Sequence, residues 1–209
     1  MGQGLLQLDL REYGKMWCDT GIYHDSFDAE EESGILSRLH SFLTSTHKPF
    51  HRTTLAGHIT GSALVVDRSY EKVLLTHHRK LNKWLQLGGH ADGESDVSQV
   101  AYREAEEESG LSELEFIDTR SAMRWSPGRP LPFDIDIHAI PARRGEPEHY
   151  HYDLCYLLVA DEDEKVIVSH ESHDVKWWAL EAAEVLNPER SMLRQYDKLK
   201  ALKKLMGLV

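Results

Sequence analysis

Three closely spaced glutamates give this sequence its clearest capacity for chemistry. They belong to a predicted helix over about 95–109, on which residues three or four positions apart share one side. That side begins apolar and becomes acidic, in the order Val97, Val100, Ala101, Glu104, Glu107 and Glu108. Repulsion between neighbouring acids, about 0.2–0.5 kcal/mol per pair, and the negative helix end both disfavour this arrangement. The pattern therefore predicts a bound Mg²⁺ or Mn²⁺, because these ions prefer oxygen ligands. The alternative interpretation is an acidic helix face exposed to water.

The elements that position this helix are predicted to form an α/β/α sandwich with a mixed β-sheet. Ser95 is the predicted N-cap, and Gly110 is placed to end the helix in the left-handed conformation. Strand-like patterns occur at 63–66, 72–76, 84–87, 114–123, 133–140, 149–160 and 175–178. The first two read as a hairpin, and Gly88-Gly89 is expected to stop the third. Further helices are predicted at 29–46 and 189–205, so we divide the chain into an N-terminal helical extension, 1–50, and a main domain, 51–209.

Composition excludes several classes of partner. The 209 residues carry 35 acidic and 24 basic side chains, a formal charge of -11, which disfavours nucleic acid and anionic membranes. The two cysteines, Cys18 and Cys155, lack CxxC spacing, and no apolar run of about 18 residues occurs. We expect a soluble, cytoplasmic protein. The apolar stripe of the extension is the predicted contact of a homodimer.

A second polar group follows two predicted strands. Asp134, Asp136 and His138 alternate along one, and His149, His151 and Asp153 alternate along the other. Because side chains in a strand alternate between its two faces, each trio lies on one side. Paired as a hairpin, the six groups would suit an additional cation or polar contacts to a ligand. We favour the alternative, a polar strand face in water, because the register is unknown.

The segment around the glutamates resembles the Nudix box, the signature of the Nudix hydrolase family. That motif runs G-x5-E-x7-R-E-U-x-E-E-x-G-U, where U is a bulky apolar residue. The chain matches it with Gly89 and, at the required spacing, Arg103-Glu104-Ala105-Glu106-Glu107-Glu108-Ser109-Gly110-Leu111. Two positions depart from the motif: its first glutamate falls on Ser95 while Glu94 stands one residue early, and Ala105 is small. The resemblance covers roughly 58–180 and implies the Nudix fold.

The resemblance also implies a reaction and roles for these residues. It implies that water attacks the diphosphate of a nucleoside diphosphate linked to another group X. Mg²⁺ or Mn²⁺ would be held by Glu104, Glu107 and Glu108, with the Gly89 carbonyl as a further ligand. The loop at Gly88-Gly89 would orient the phosphates.

Two further roles concern side chains around these metal ligands. Arg103 would orient a carboxylate by a forked ion pair, with Glu94 as its expected partner. The general base would be Glu104 or, as the alternative, Glu171 on a distant loop.

Three functions remain open at this point. The first is hydrolysis of a small-molecule nucleotide derivative such as a nucleotide sugar, a dinucleotide or an ADP-ribose type compound. The second is pyrophosphohydrolysis of RNA 5′ ends, which the acidic charge makes less favourable. The third is a non-catalytic nucleotide sensor, which would be expected to have lost the helix carboxylates, whereas all three are present.

Overall fold

Strands from both halves of the chain form one mixed sheet in the computed structural model, which describes residues 2–19, 29–117, 119, 129–143 and 145–208. The strands are β1 Gly57–Asp67, β2 Lys72–His78, β3 Lys83–Leu85, β4 Leu87–His90, β5 Glu115–Phe116, β6 Asp134–Ile140, β7 His149–Ala160 and β8 Ser172–Ala179. The helices are α1 Gly2–Gly14, α2 Ala29–Ser45, α3 Val97–Ser109, α4 Leu180–Leu186 and α5 Arg190–Leu205, with a π-helical segment at Lys15–Asp19.

Most predicted elements are present, with three differences. The glycine pair Gly88-Gly89 lies inside β4 instead of stopping a strand. Of the strand predicted at 114–123, the described residues form only β5, and positions 118 and 120–123 lie outside the described residues. Helices α1 and α4 were not predicted from the sequence.

Strand β1 is the centre of the sheet. It pairs antiparallel with β2 through Val65 and Leu74, and antiparallel with β4 through Gly61 and Gly89. It also pairs along its whole length, in parallel, with β7. On the far side β6 pairs antiparallel with β7, and beyond β2 lie β3 and β8. One strand therefore links the glycine segment to the histidine-rich strand 149–160.

Helices α3 and α5 cover opposite faces of this sheet. At Gly61 a Cβ would lie 3.0 Å from the Cβ of Val100 in α3, so α3 lies on that face. The next residue, Ser62, points the other way and is level with Cys155, whose thiol lies 3.6 Å from Gln195 Oε1 in α5. The predicted α/β/α sandwich with a mixed sheet is confirmed.

The N-terminal extension packs into the same core as the sheet. Its buried side chains are Leu6, Leu10, Tyr13, Met16, Trp17, Leu39, Phe42 and Leu43. The Phe42 ring stacks on Tyr152 of β7 with centroids 3.8 Å apart. The apolar stripe of α2 is thus occupied within the chain, and the reason given for a homodimer contact was wrong.

A buried ion-pair network joins the extension to β6 and α5. Lys198 lies 2.8 Å from Glu32 of α2 and 2.7 Å from Asp134 of β6, and Arg194 lies 2.9 Å from Asp134. Although burial opposes ionisation, Lys198 and Arg194 hold the pKa of Asp134 below its usual value. These charges are fully compensated where they are buried.

None of the described helices has the length and apolar character needed to cross a membrane.

Candidate active site

The glycine pair of β4 brings bare backbone against two glutamates of α3. A Cβ at Gly89 would lie 2.4 Å from Oε2 and 2.5 Å from Cδ of Glu104, so no side chain fits there without displacing that carboxylate. The backbone N–H of Gly88 donates a hydrogen bond to Glu108 Oε2 at 3.1 Å. Glycine is therefore required at position 89 by close approach to the acid rather than by an unusual backbone conformation.

Helix α3 is positioned by its apolar residues and by its C-terminal end. It begins at Val97 with Asp96 at the N-cap, one residue later than the predicted Ser95, and Asp96 makes no side-chain capping bond. Gly110 ends the helix with φ 69°, and its N–H donates to Glu106 O at 2.8 Å, as predicted. The residues that face the sheet are Val97, Val100, Ala101 and Ala105.

Of the three acids predicted to face inward, Glu108 is buried, Glu104 is half-buried and Glu107 is exposed. Glu108 is 8% exposed and the Glu104 side chain is 19% exposed, whereas Glu107 lies on the surface. The buried stripe follows Ala101, Ala105 and Glu108, which are four and three residues apart. Glu107 precedes Glu108 by one residue, so it is rotated by about 100° around the helix axis and faces solvent. The prediction that all three point inward was wrong for Glu107.

Burial makes the two inner carboxylates poor anions in the absence of a cation. It raises the pKa of Glu108 to about 7, against the opposing effect of the Gly88 N–H, and the charges of Glu104 and Glu171 add to the rise. Burial also raises the pKa of Glu104, although the hydrogen bond and charge of Arg103 counteract it. A positive charge placed between these groups would restore their ionised forms.

Arg103 does not have the partner expected from the sequence. Its guanidinium donates to Glu104 Oε1 at 3.0 Å and reaches the carbonyl of His90 at 3.5 Å. Glu94 instead accepts a hydrogen bond at 2.8 Å from the N–H of Asp96, two residues further along its own loop. The shift of Glu94 by one position relative to the motif thus accompanies the loss of the predicted Arg103–Glu94 pair.

Glu171 lies just before β8, near the acidic pair. Its side chain is 58% exposed, and its backbone carbonyl accepts a hydrogen bond from the N–H of Arg79 at 3.1 Å. Its charge contributes to the raised pKa values of both Glu104 and Glu108. A residue more than sixty positions away in sequence therefore shares the electrostatic environment of α3.

The second polar group is only partly a strand face in water. Strands β6 and β7 pair so that Asp136 is opposite Asp153 and His138 is opposite His151. Asp153 is 6% exposed, and its two carboxylate oxygens accept hydrogen bonds from the hydroxyls of Thr60 and Ser62 at 2.7 and 2.5 Å. Asp134 is also fully buried, whereas His138 is exposed, so the favoured interpretation was wrong for Asp134 and Asp153.

Sequence reasoning missed two histidines that join this group. His58 of β1 lies level with His151, with ring centroids 4.7 Å apart, and His90 of β4 lies 5.1 Å from each of them. Burial and the neighbouring imidazoles lower the pKa of His58 to about 4 and that of His151 to about 2. These rings are therefore neutral at pH 7. The alternation of His58, Thr60 and Ser62 is visible in the sequence, but the pairing of β1 with β7 is not.

An ion pair lies near both the acidic and the histidine groups. Arg52 donates from Nε to Asp92 Oδ1 at 2.5 Å and from a terminal nitrogen to the other carboxylate oxygen. Arg52 also contributes to the lowered pKa values of His58 and His90, after burial, and the charge of Glu104 helps to raise the pKa of Arg52 itself. The Arg52–Asp92 pair is thus influenced electrostatically by Glu104 and influences the histidines in turn.

Comparison with known proteins places this geometry in a family. The family model of the NUDIX domain matches residues 56–199, more than half of the chain. A structure of a Caenorhabditis elegans Ap4A hydrolase binary complex is 19% identical with a TM-score of 0.53, covering 71% of this chain and 98% of that one. A NUDIX family hydrolase from Clostridium perfringens is 25% identical with a TM-score of 0.51, covering 68% and 96%. No curated protein matches the chain.

The family match contains every element of the acidic site. Residues 56–199 include the glycine pair of β4, the whole of α3 and the start of β8. The α1 and α2 helices lie outside it. The chain belongs to the NUDIX family of pyrophosphohydrolases.

Proposed function

We propose that the chain is a divalent-metal-dependent hydrolase that cleaves the diphosphate linkage in a nucleoside diphosphate joined to another group. The observation that carries the proposal is the packing of the Glu104 and Glu108 carboxylates against the glycine backbone of β4. Two adjacent carboxylates that burial drives toward their neutral forms are suited to a small dication. Hydrolases of this family generally use divalent metal ions.

Glu104, Glu107 and Glu108 would hold Mg²⁺ or Mn²⁺, with the carbonyl of Gly89 as a further ligand. The donor set fits such an ion, because all four groups offer oxygen. When bound, such an ion neutralises diphosphate charge and lowers the pKa of a coordinated water.

The remaining residues of the site orient these carboxylates. Arg103 holds Glu104 by its hydrogen bond at 3.0 Å, and the Gly88 N–H fixes Glu108. Each contact limits the rotation of a flexible side chain, which is how positioning groups preserve reactive geometry. Glu104 is our first choice as the residue that accepts the proton of the attacking water, and Glu171 is the alternative.

The substrate is proposed to be a small-molecule nucleotide derivative. The net charge of -11 makes a polyanionic RNA end a poor ligand, whereas a single diphosphate is neutralised by one or two bound ions. The Ap4A hydrolase among the structural relatives places dinucleotides in the set to be tested, beside nucleotide sugars and ADP-ribose type compounds.

The decisive experiment measures turnover of this set with Mg²⁺, with Mn²⁺ and with neither. We expect metal-dependent hydrolysis of at least one compound, and a loss of about a hundredfold or more in kcat for Glu107→Gln. Glu106→Gln is the matched control, because Glu106 is an exposed neighbour on the same helix and should retain activity within about twofold. Absence of turnover for every compound, with unchanged ligand binding by Glu107→Gln, would refute the proposal in favour of a nucleotide sensor.

A further inference from the structure

Five histidines from four strands form a cluster on the sheet face opposite α3. We call His58, His90, His138, His149 and His151 the histidine cluster. Its neighbouring rings have centroids 4.7 to 5.4 Å apart. The cluster faces away from the glutamates because His90 and Gly89 alternate along β4, and Gly89 is the residue that contacts Glu104.

Three members of the cluster present ligand atoms to a common point. One ring nitrogen each from His58, His149 and His151 lies within 4.8 Å of the other two. His58 and His151 are paired across β1 and β7, and His149 is two residues from His151 on the same strand face. The parallel pairing of two long strands thus fixes the backbone of all three residues.

The imidazole of His58 is buried without hydrogen bonds to the described residues. Its side chain is 2% exposed, yet neither of its ring nitrogens has a hydrogen-bond partner among the described residues. The Nε2 atom of His151 is likewise buried without a partner in the described structure. Because a buried nitrogen without a partner is unfavourable, these atoms indicate a ligand of their own.

The hydrogen bond of His149 selects the tautomer that binds metal. Its Nδ1 lies 2.9 Å from the carbonyl oxygen of Pro147, so Nδ1 carries the proton and donates it. In the neutral ring this leaves the lone pair on Nε2. Metal-binding histidines commonly donate their other N–H to a backbone carbonyl in this way.

The other two cluster members are less suited to coordination. The Nδ1 atom of His138 is bonded to Asp136 Oδ2 at 2.9 Å, and its ring lies 5.4 Å from that of His151. The ring of His90 lies 5.1 Å from those of His58 and His151, and His90 is not among the three residues whose ligand atoms converge. Both residues therefore surround the ligand set without belonging to it.

We propose that His58, His149 and His151 bind a transition-metal dication of the zinc class at a site distinct from the glutamates. Three imidazoles suit Zn²⁺, Co²⁺ or Ni²⁺ and are poor ligands for Mg²⁺. A tetrahedral ion about 2.0–2.1 Å from each nitrogen needs nitrogens about 3.3 Å apart, so each ring moves inward by about 1 Å or less from the present separation. The fourth position stays open to water or a ligand oxygen, and the half-buried His149 and His151 leave an entry path.

Zinc and cobalt titrations of the full chain, without a polyhistidine tag and stripped of metal, test the proposal. Binding is measured calorimetrically with Zn²⁺ and by visible absorption with Co²⁺, both in excess Mg²⁺ so that the glutamates are occupied. We expect one tightly bound equivalent and a visible Co²⁺ spectrum of low coordination number. His149→Gln and His151→Gln should each weaken binding by about a hundredfold, because each removes one of three ligands.

Two control variants make the assignment specific. His40→Gln changes an exposed histidine of α2 and should bind Zn²⁺ as the unaltered chain does. Glu107→Gln should also bind unchanged, because the acidic site is not involved, so failure of this proposal is separable from failure of the proposed function. Circular dichroism and thermal unfolding verify that each variant is folded, and the half-buried His149 and His151 are chosen because replacing the fully buried His58 would disturb packing.

The proposal is overturned by any of three results. They are absence of saturable Zn²⁺ binding, retention of binding in folded His149→Gln and His151→Gln, and loss of binding in Glu107→Gln. Equal weakening by His40→Gln would likewise show that binding is a nonspecific property of surface histidines.

Discussion

Replacing Gly89 by alanine separates the chemistry of the acidic site from the stability of the fold. The added carbon would lie 2.4 Å from Glu104 Oε2, whereas ordinary contacts begin at 3.4 Å, so the carboxylate must move by about 1 Å. The moving atoms are the far end of a flexible side chain, and the backbone of β4 has no strained angle at this position. The fold can therefore absorb the substitution, but the position of the carboxylate cannot be kept.

The expected magnitudes follow from that displacement. A misplacement of about 1 Å in a catalytic group typically reduces the rate by about a hundredfold. Stability should change little, because alanine in a strand removes some of the entropy penalty of glycine while Glu104 rotates away. We predict that Gly89→Ala lowers kcat by about a hundredfold and changes the free energy of unfolding by less than about 1 kcal/mol.

The assay combines steady-state hydrolysis of the best substrate with chemical denaturation. Gly34→Ala is the matched control, because nothing lies within 4 Å of the added carbon and α2 accommodates alanine well. Wild-type activity in Gly89→Ala would show that the carboxylate of Glu104 is not needed at its present position. A large loss of stability would show that the glycine serves packing instead.

Three further predictions concern electrostatics. Glu171→Gln should lower kcat by less than about tenfold and shift the acidic limb of the kcat/KM profile to lower pH, because it removes a charge that raises the pKa values of the inner carboxylates. Arg194→Met should lower the free energy of unfolding by about 3–5 kcal/mol in urea denaturation, because Asp134 and Glu32 lose a buried cation. In the metal-free chain, protonation linked to His58 should lower the free energy of unfolding by roughly 2 kcal/mol as the pH falls from 7.5 to 5, and this decrease should be missing in His58→Gln.

The sign of the last prediction comes from proton binding. The pKa of His58 is about 4 in the folded chain, against 6.5 for a solvent-exposed histidine, so as pH falls through 6.5 the unfolded chain takes up a proton first. Stability is therefore full above pH 6.5 and declines down to about pH 4. An identical pH dependence of stability in His58→Gln would contradict the prediction for His58. A hundredfold drop in kcat for Glu171→Gln would make Glu171 the general base. An unchanged denaturation midpoint in Arg194→Met would show that the ion-pair network does not stabilise the fold.

Local pattern was sufficient to predict the acidic helix. The spacing of Val97, Val100 and Ala101 and the glycine at 110 are properties of one continuous segment, so the length and ending of α3 could be inferred from it. The orientation of Glu107 could not be inferred, because a shift of one residue along a helix decides whether a side chain faces the sheet or solvent. The apolar residues alone do not define where the buried stripe ends. The choice of Asp96 over Ser95 as N-cap has the same cause.

Pairing over long distances was not predictable from the sequence. His58 and His151 are 93 positions apart, and their contact depends on the parallel register of β1 and β7, which no local signal specifies. The sequence showed the trios on β6 and β7 but not the strand that completes them. In the same way, α1 has a weak pattern of its own and is helical because its apolar residues are covered by the rest of the chain.

The network around Lys198 also constrains how the protein is made. Glu32 leaves the ribosome first, and Asp134 follows about a hundred residues later, but Arg194 and Lys198 lie in α5, which is synthesised after both acids. Until that helix emerges, the two acids have no access to the cations that accompany them in the interior, and a buried carboxylate without a partner is strongly disfavoured. Closure of the native core is thus delayed until residues 194–198 have been synthesised, and a nascent chain truncated before residue 194 should remain open to chaperones and proteases.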